Sequence, residues 1–83
     1  MYEVILSEKA KNQLNKLDKI SQERIGSVIE RIKIRPFSHD LKRLQGTNFY
    51  RARAGNYRLI LDIKQNLLII IVIEIAHRKN VYK

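Results

Sequence analysis

The sequence predicts an α+β fold: a small antiparallel-rich four-stranded sheet with an N-terminal helical hairpin on one face, in the order β-α-α-β-β-β. Three observations carry this. Helical apolar periodicity is confined to residues 8–34, Gly55-Asn56 separates two strand-like runs, and "LLIIIVIEIA" at 67–76 is apolar on both faces, as a central strand is. The 83 residues fit one domain, 1–83, with little stability to spare.

Each element has its own signal. "YEVIL" at 2–6 is rich in strand formers. Ser7 then offers an N-cap, with Ala10, Leu14 and Leu17 at helical spacing through 8–18. A second helix is expected with Ser21 as N-cap, Ile20 and Ile25 as a hydrophobic staple, and Ile25, Val28, Ile29 and Ile32 as its stripe. Pro36 pushes Arg35 out of the helical region, so this helix ends by about Ile34. Gly26 inside it costs about 1 kcal/mol relative to alanine, a cost that close helix approach would justify. Residues 36–48 read as a connector with room for one helical turn at Asp40 to Leu44. Three strands follow, at about 49–54, 57–63 and 67–76.

Composition narrows the function. The chain has no cysteine, which excludes disulfides, thiolate zinc sites and cysteine nucleophiles. It opens on no signal-peptide pattern, and its longest apolar run, Leu67 to Ile73, is far short of a membrane span. A cytoplasmic protein with no membrane partner is expected. The net charge of +9 asks for an anionic partner. Residues 1–40 carry eight Lys/Arg against six Asp/Glu, and residues 41–83 carry nine against two, so the basic field belongs to the second half.

A two-residue loop at 55 and 56 sets residue 53 opposite 58 and 51 opposite 60. Alternation then puts Arg51, Arg53, Arg58, Ile60 and Asp62 on one face, and Tyr50, Ala52, Ala54, Tyr57, Leu59, Leu61 and Ile63 on the core face. Three guanidinium groups crowded in this way disfavour folding by some tenths of a kcal/mol per pair. A solvated surface is the plain explanation, and an anionic ligand is the functional one. Glu74 joins the arginine face if the loop at 64–66 has three residues, and a loop of even length moves it to the core side. As a lone carboxylate it reads better as a counter-charge orienting a guanidinium than as a catalytic acid. His39 in the connector and His77, alternating away from Arg78, read as structural. No His/Asp/Glu cluster has metal-ligand spacing, and no cofactor is expected.

"LQGTNFYRARAGNYRLIL" followed by "AHRKNVY" resembles the RelE/ParE superfamily of toxins from type II toxin-antitoxin modules, over essentially the whole chain. The RelE-like branch cuts messenger RNA on the ribosome with basic residues and often a tyrosine, without a metal. The resemblance implies a ribosome-dependent endoribonuclease with Arg58, Arg78 and Tyr82 as catalytic set. Arg51, Arg53, Lys42, Arg43 and Lys79 would bind RNA phosphates. In relatives the positions of Arg51 and Arg53 are often lysines. Arginine, with a pKa above about 12, is a poor proton shuttle, so here they bind and stabilise. Tyr82 would accept a proton, which requires neighbouring arginines to stabilise its phenolate. The implied partners are the ribosome, messenger RNA and a RelB-like antitoxin with an acidic or amphipathic segment, through which the complex can bind operator DNA. Two alternatives share the fold: a ParE-like gyrase inhibitor without nuclease activity, and a degenerate toxin that only binds its antitoxin.

Overall fold

The computed structural model describes residues 1–38 and 41–78. Strand β1 (Glu3–Leu6) leads into helices α1 (Glu8–Asn15) and α2 (Lys19–Ile34), followed by β2 (Leu41–Arg43), β3 (Tyr50–Ala54), β4 (Tyr57–Lys64) and β5 (Ile69–His77). Among the described residues, the sheet has five strands in the order β1-β5-β4-β3-β2, parallel between β1 and β5 and antiparallel elsewhere. The α+β class and helical hairpin agree with the sequence reading. The fifth strand does not, because Leu41–Arg43 pairs with Tyr50–Ala52 where a helical turn was expected. Three residues are too few to display a period of two, and only pairing with β3 makes them a strand.

Ser7 caps α1 as predicted, its Oγ accepting from the Ala10 amide at 3.0 Å. The helix stops at Asn15, short of the expected 18, because Asp18 takes the next N-cap. Its carboxylate accepts from the Ser21 amide at 3.2 Å and the Ser21 hydroxyl at 2.7 Å. Ser21 therefore donates to the cap instead of forming it. These bonds hold the Asp18 carboxyl below its ordinary pKa, the Ser21 hydroxyl contributing most. The staple is likewise absent: Ile25 is fully buried while Ile20 is 68% exposed.

Ile25, Val28 and Ile32 of α2 meet Ala52, Ala54, Leu59, Leu61, Ile70, Val72 and Ile75 in the core. The small side chains at 52 and 54 make room where α2 lies against β3. Gly26 does not serve a close approach, since a Cβ built there meets nothing within 4 Å. Gly55 does: its φ is +62°, and a Cβ would stand 2.6 Å from Arg24 Cδ. The flexible Arg24 side chain can move aside, so the positive φ is what favours glycine, and a positive φ at the first central residue alone is the type II′ pattern. Among the described residues, no helix is long and apolar enough to cross a membrane.

Candidate nucleic-acid interface

The β3–β4 hairpin has the register read from the sequence: Arg51 opposite Ile60, Ala52 opposite Leu59, Arg53 opposite Arg58 and Ala54 opposite Tyr57. With β2 added, Lys42 stands opposite Arg51. Lys42, Arg51, Arg53 and Arg58 thus share the face turned away from the core. Arg53 and Lys42 are exposed and Arg51 is half-buried, whereas Arg58 is only 2% exposed. A guanidinium buried this deeply requires acceptors around it, so Arg58 is built into the sheet rather than displayed on it. Arg78, half-buried, follows β5 and donates its amide to the Asn56 carbonyl at 2.8 Å, which holds it against the hairpin turn.

Arg43 stands apart from this group. It pairs with Tyr50, on the alternate face, and its guanidinium bonds the Thr47 carbonyl at 3.3 Å and Asn48 Oδ1 at 3.0 Å, bracing the β2–β3 loop. Tyr82 and Lys79 lie outside the described residues, as does His39. His77 is opposite Tyr57, with its ring edge-on to the tyrosine at 5.1 Å between centroids.

Glu74 reaches the arginine face by an unforeseen route. The β4–β5 loop runs from Gln65 to Leu68, four residues, because Lys64 pairs with Ile69. That even length alone would set Glu74 opposite Leu59 in the core. A β-bulge intervenes: Leu61 pairs with Val72 and Ile60 with Glu74, leaving Ile73 as the extra residue. Two departures from the expected geometry cancel. Glu74 Oε1 then pairs with Lys9 Nζ at 3.4 Å, and Asp62 pairs with Lys64 at 3.3 Å.

The bulge is held from α1. Strand β1 covers β5 only as far as Val72, so among the described residues the edge from Ile73 onward lacks a neighbouring strand. Two side chains replace its hydrogen bonds: Ser7 Oγ donates to the Ile73 carbonyl at 2.7 Å, and Gln13 Oε1 accepts from the Ile75 amide at 2.7 Å. Ser7 was legible as a cap but not as a bulge partner, and Gln13 carried no signal. A residue that completes a bulge has no sequence period to reveal it.

A family model described as the ParE toxin of type II toxin-antitoxin system, parDE, matches residues 4–82. The chain belongs to this family. It is therefore a toxin of a type II toxin-antitoxin system, and solved structures place its fold among RelE-like toxins. A chain of the archaeal RelE-RelB complex from Pyrococcus horikoshii OT3 is 24% identical with a TM-score of 0.83, over 96% of this toxin and 98% of that chain. The isolated E. coli RelE toxin is 19% identical with a TM-score of 0.83, covering 99% and 89%. A YoeB/ParE toxin from Agrobacterium tumefaciens is 16% identical with a TM-score of 0.78, covering 90% and 96%. No curated protein matches the toxin in sequence.

Proposed function

We propose that the toxin is a ribosome-dependent endoribonuclease that inhibits translation by cutting messenger RNA. The observation that carries this reading is the directly opposed pair Arg53 and Arg58, joined by Arg51 and Lys42 on the face that the helices leave open. Cross-strand like charges weaken a hairpin, and a phosphate backbone is an anion that such a basic face suits.

The chemistry asks little beyond placement and charge. The RNA 2′-hydroxyl attacks the adjacent phosphorus, a 2′,3′-cyclic phosphate forms, and the 5′-oxygen leaves with a proton. An enzyme must align the attack and stabilise charge building on the equatorial oxygens. Arg51, Arg53 and Lys42 would hold the backbone. Arg78, by this reading, stabilises the phosphorane, because a guanidinium remains charged when desolvated and binds two oxygens at once, while the buried Arg58 adds its charge from within the sheet. Tyr82 is the proposed proton acceptor and Lys79 a further phosphate contact.

A cognate antitoxin would restrain the toxin, as RelB accompanies RelE in the P. horikoshii and E. coli complexes. The net charge of +9 favours an acidic or amphipathic antitoxin segment, and operator DNA would be reached through the antitoxin. The setting of this reaction is the cytoplasm.

The family match favours a second reading, a ParE-like inhibitor of DNA gyrase. Primer extension on translated transcripts after induction separates the two. The nuclease reading predicts codon-dependent cuts that Arg78→Ala removes. Growth arrest with uncut transcripts, together with loss of supercoiling by purified gyrase, would establish the second reading.

A further inference from the structure

At the β3–β4 turn the basic surface does not stop with the sheet. Arg24 of α2 lies over Gly55 from the helical side, its Cδ 2.6 Å and its Nη1 3.0 Å from where a Cβ on that glycine would stand. Arg53 precedes the same turn on the open face, and Arg78 is tied to it by the amide bond to the Asn56 carbonyl at 2.8 Å. We infer that the RNA strand held on the arginine face continues over this turn onto α2, where Arg24 and Arg31 bind its phosphates. The inference rests on the nuclease reading and extends its substrate to a strand long enough to round the hairpin.

The helix supplies a stripe rather than a single charge. Arg31 follows Arg24 by about two helical turns and returns to the same flank about 10 Å further along the axis. Both side chains are exposed, and the exposed Ser27 between them adds a hydroxyl donor. Glu23 and Glu30 sit about 100° round the helix from them, and Lys33 engages Glu30 at 3.8 Å. Among the described residues neither Arg24 nor Arg31 forms an ion pair.

A flexible polyanion fits this course. Its charges repeat along a chain that can bend over the end of a hairpin. Guanidinium groups on both sides of that end, Arg53 and Arg78 on one and Arg24 on the other, then meet successive phosphates. A folded protein partner needs several apolar anchors, and by the stripe Ile20 offers one. Exposed Met1, Ile34, Leu67 and Leu68 gather at the other end of the sheet instead. The Tyr2 amide bonds the Lys33 carbonyl there and the Glu3 amide bonds the Leu68 carbonyl, both at 2.8 Å.

The test measures binding of the purified full-length toxin to an RNA trinucleotide and to a dodecanucleotide across a salt series, both 2′-O-methylated so that neither is cut. The trinucleotide covers the open face alone, whereas the dodecanucleotide can round the turn. For the longer strand, the slope of log affinity against log salt should become shallower by about 0.7 with Arg24→Met and by about as much with Arg31→Met. Binding of the trinucleotide and the denaturation midpoint should not change. Arg24→Met keeps an apolar stem over Gly55, and Arg24→Lys keeps the charge, so the lysine variant alone should hold the wild-type slope. Equal slopes for the two oligomers in the wild type, methionine variants that weaken both alike, or a lysine variant as shallow as the methionine one overturns the inference. So does an Arg24→Met toxin that loses affinity for the antitoxin but not for the dodecanucleotide, which would make the antitoxin the occupant. Mapped cuts in translated transcripts report separately: their absence removes the nuclease reading, whereas the slopes decide the path over the turn.

Discussion

Arg58 shows how one residue can be found by pattern and changed in meaning by packing. Alternation along β4 placed it with Arg51 and Arg53, yet it is 2% exposed. Replacing it by alanine removes a buried cation from its partners, a class of change that costs on the order of 3 kcal/mol. Arg58→Ala should therefore lower the chemical-denaturation midpoint as well as cleavage. Arg58→Lys keeps the charge and loses the fork, so it should retain more stability than activity. Arg53→Ala, at an exposed position, should leave stability nearly unchanged while reducing the salt dependence of RNA binding by about one phosphate contact. A titration of affinity against salt reads that slope. Gly26 gives the opposite kind of test. With open space around its missing Cβ, Gly26→Ala should raise unfolding free energy by up to about 1 kcal/mol.

The bulge in β5 decides which face Glu74 occupies, and α1 holds the bulge through Ser7 and Gln13. Ser7→Ala removes a helix cap and the donor to the Ile73 carbonyl together. A loss of roughly 1–2 kcal/mol is expected, with faster hydrogen exchange localised to Ile73 through Ile75. The start of α2 carries a pH dependence. The native Asp18 carboxyl titrates below its unfolded value, so its contribution is present above the unfolded pKa and fades as pH falls through the lower native one. Asp18→Asn should flatten stability against pH in that acidic window. These elements also mark the limits of reading sequence. The β3–β4 register was legible because Gly55-Asn56 fixes the turn and apolar residues alternate with arginines. The β5 register was not, because "IIIVI" is apolar on both faces and shows no period. Strand β2 was missed because only its pairing with β3 defines it.

Across the whole molecule, the helices cover one face of the sheet, and Lys42, Arg51, Arg53 and Arg58 lie on the other. The fold class, helical hairpin and arginine cluster could be read from residues alone. The fifth strand, the burial of Arg58 and the placement of Arg24 over Gly55 required the chain to be folded, since each depends on segments distant in sequence. Family membership gives the toxin its biological setting, and the open basic face gives the proposed nuclease its substrate. The most direct test is primer extension on translated messenger in cells expressing the wild type or the Arg51→Ala/Arg53→Ala double variant. Codon-dependent cuts with the wild type, lost in a double variant that folds normally, are the predicted result. Growth arrest by the wild type with every translated transcript intact would contradict the account.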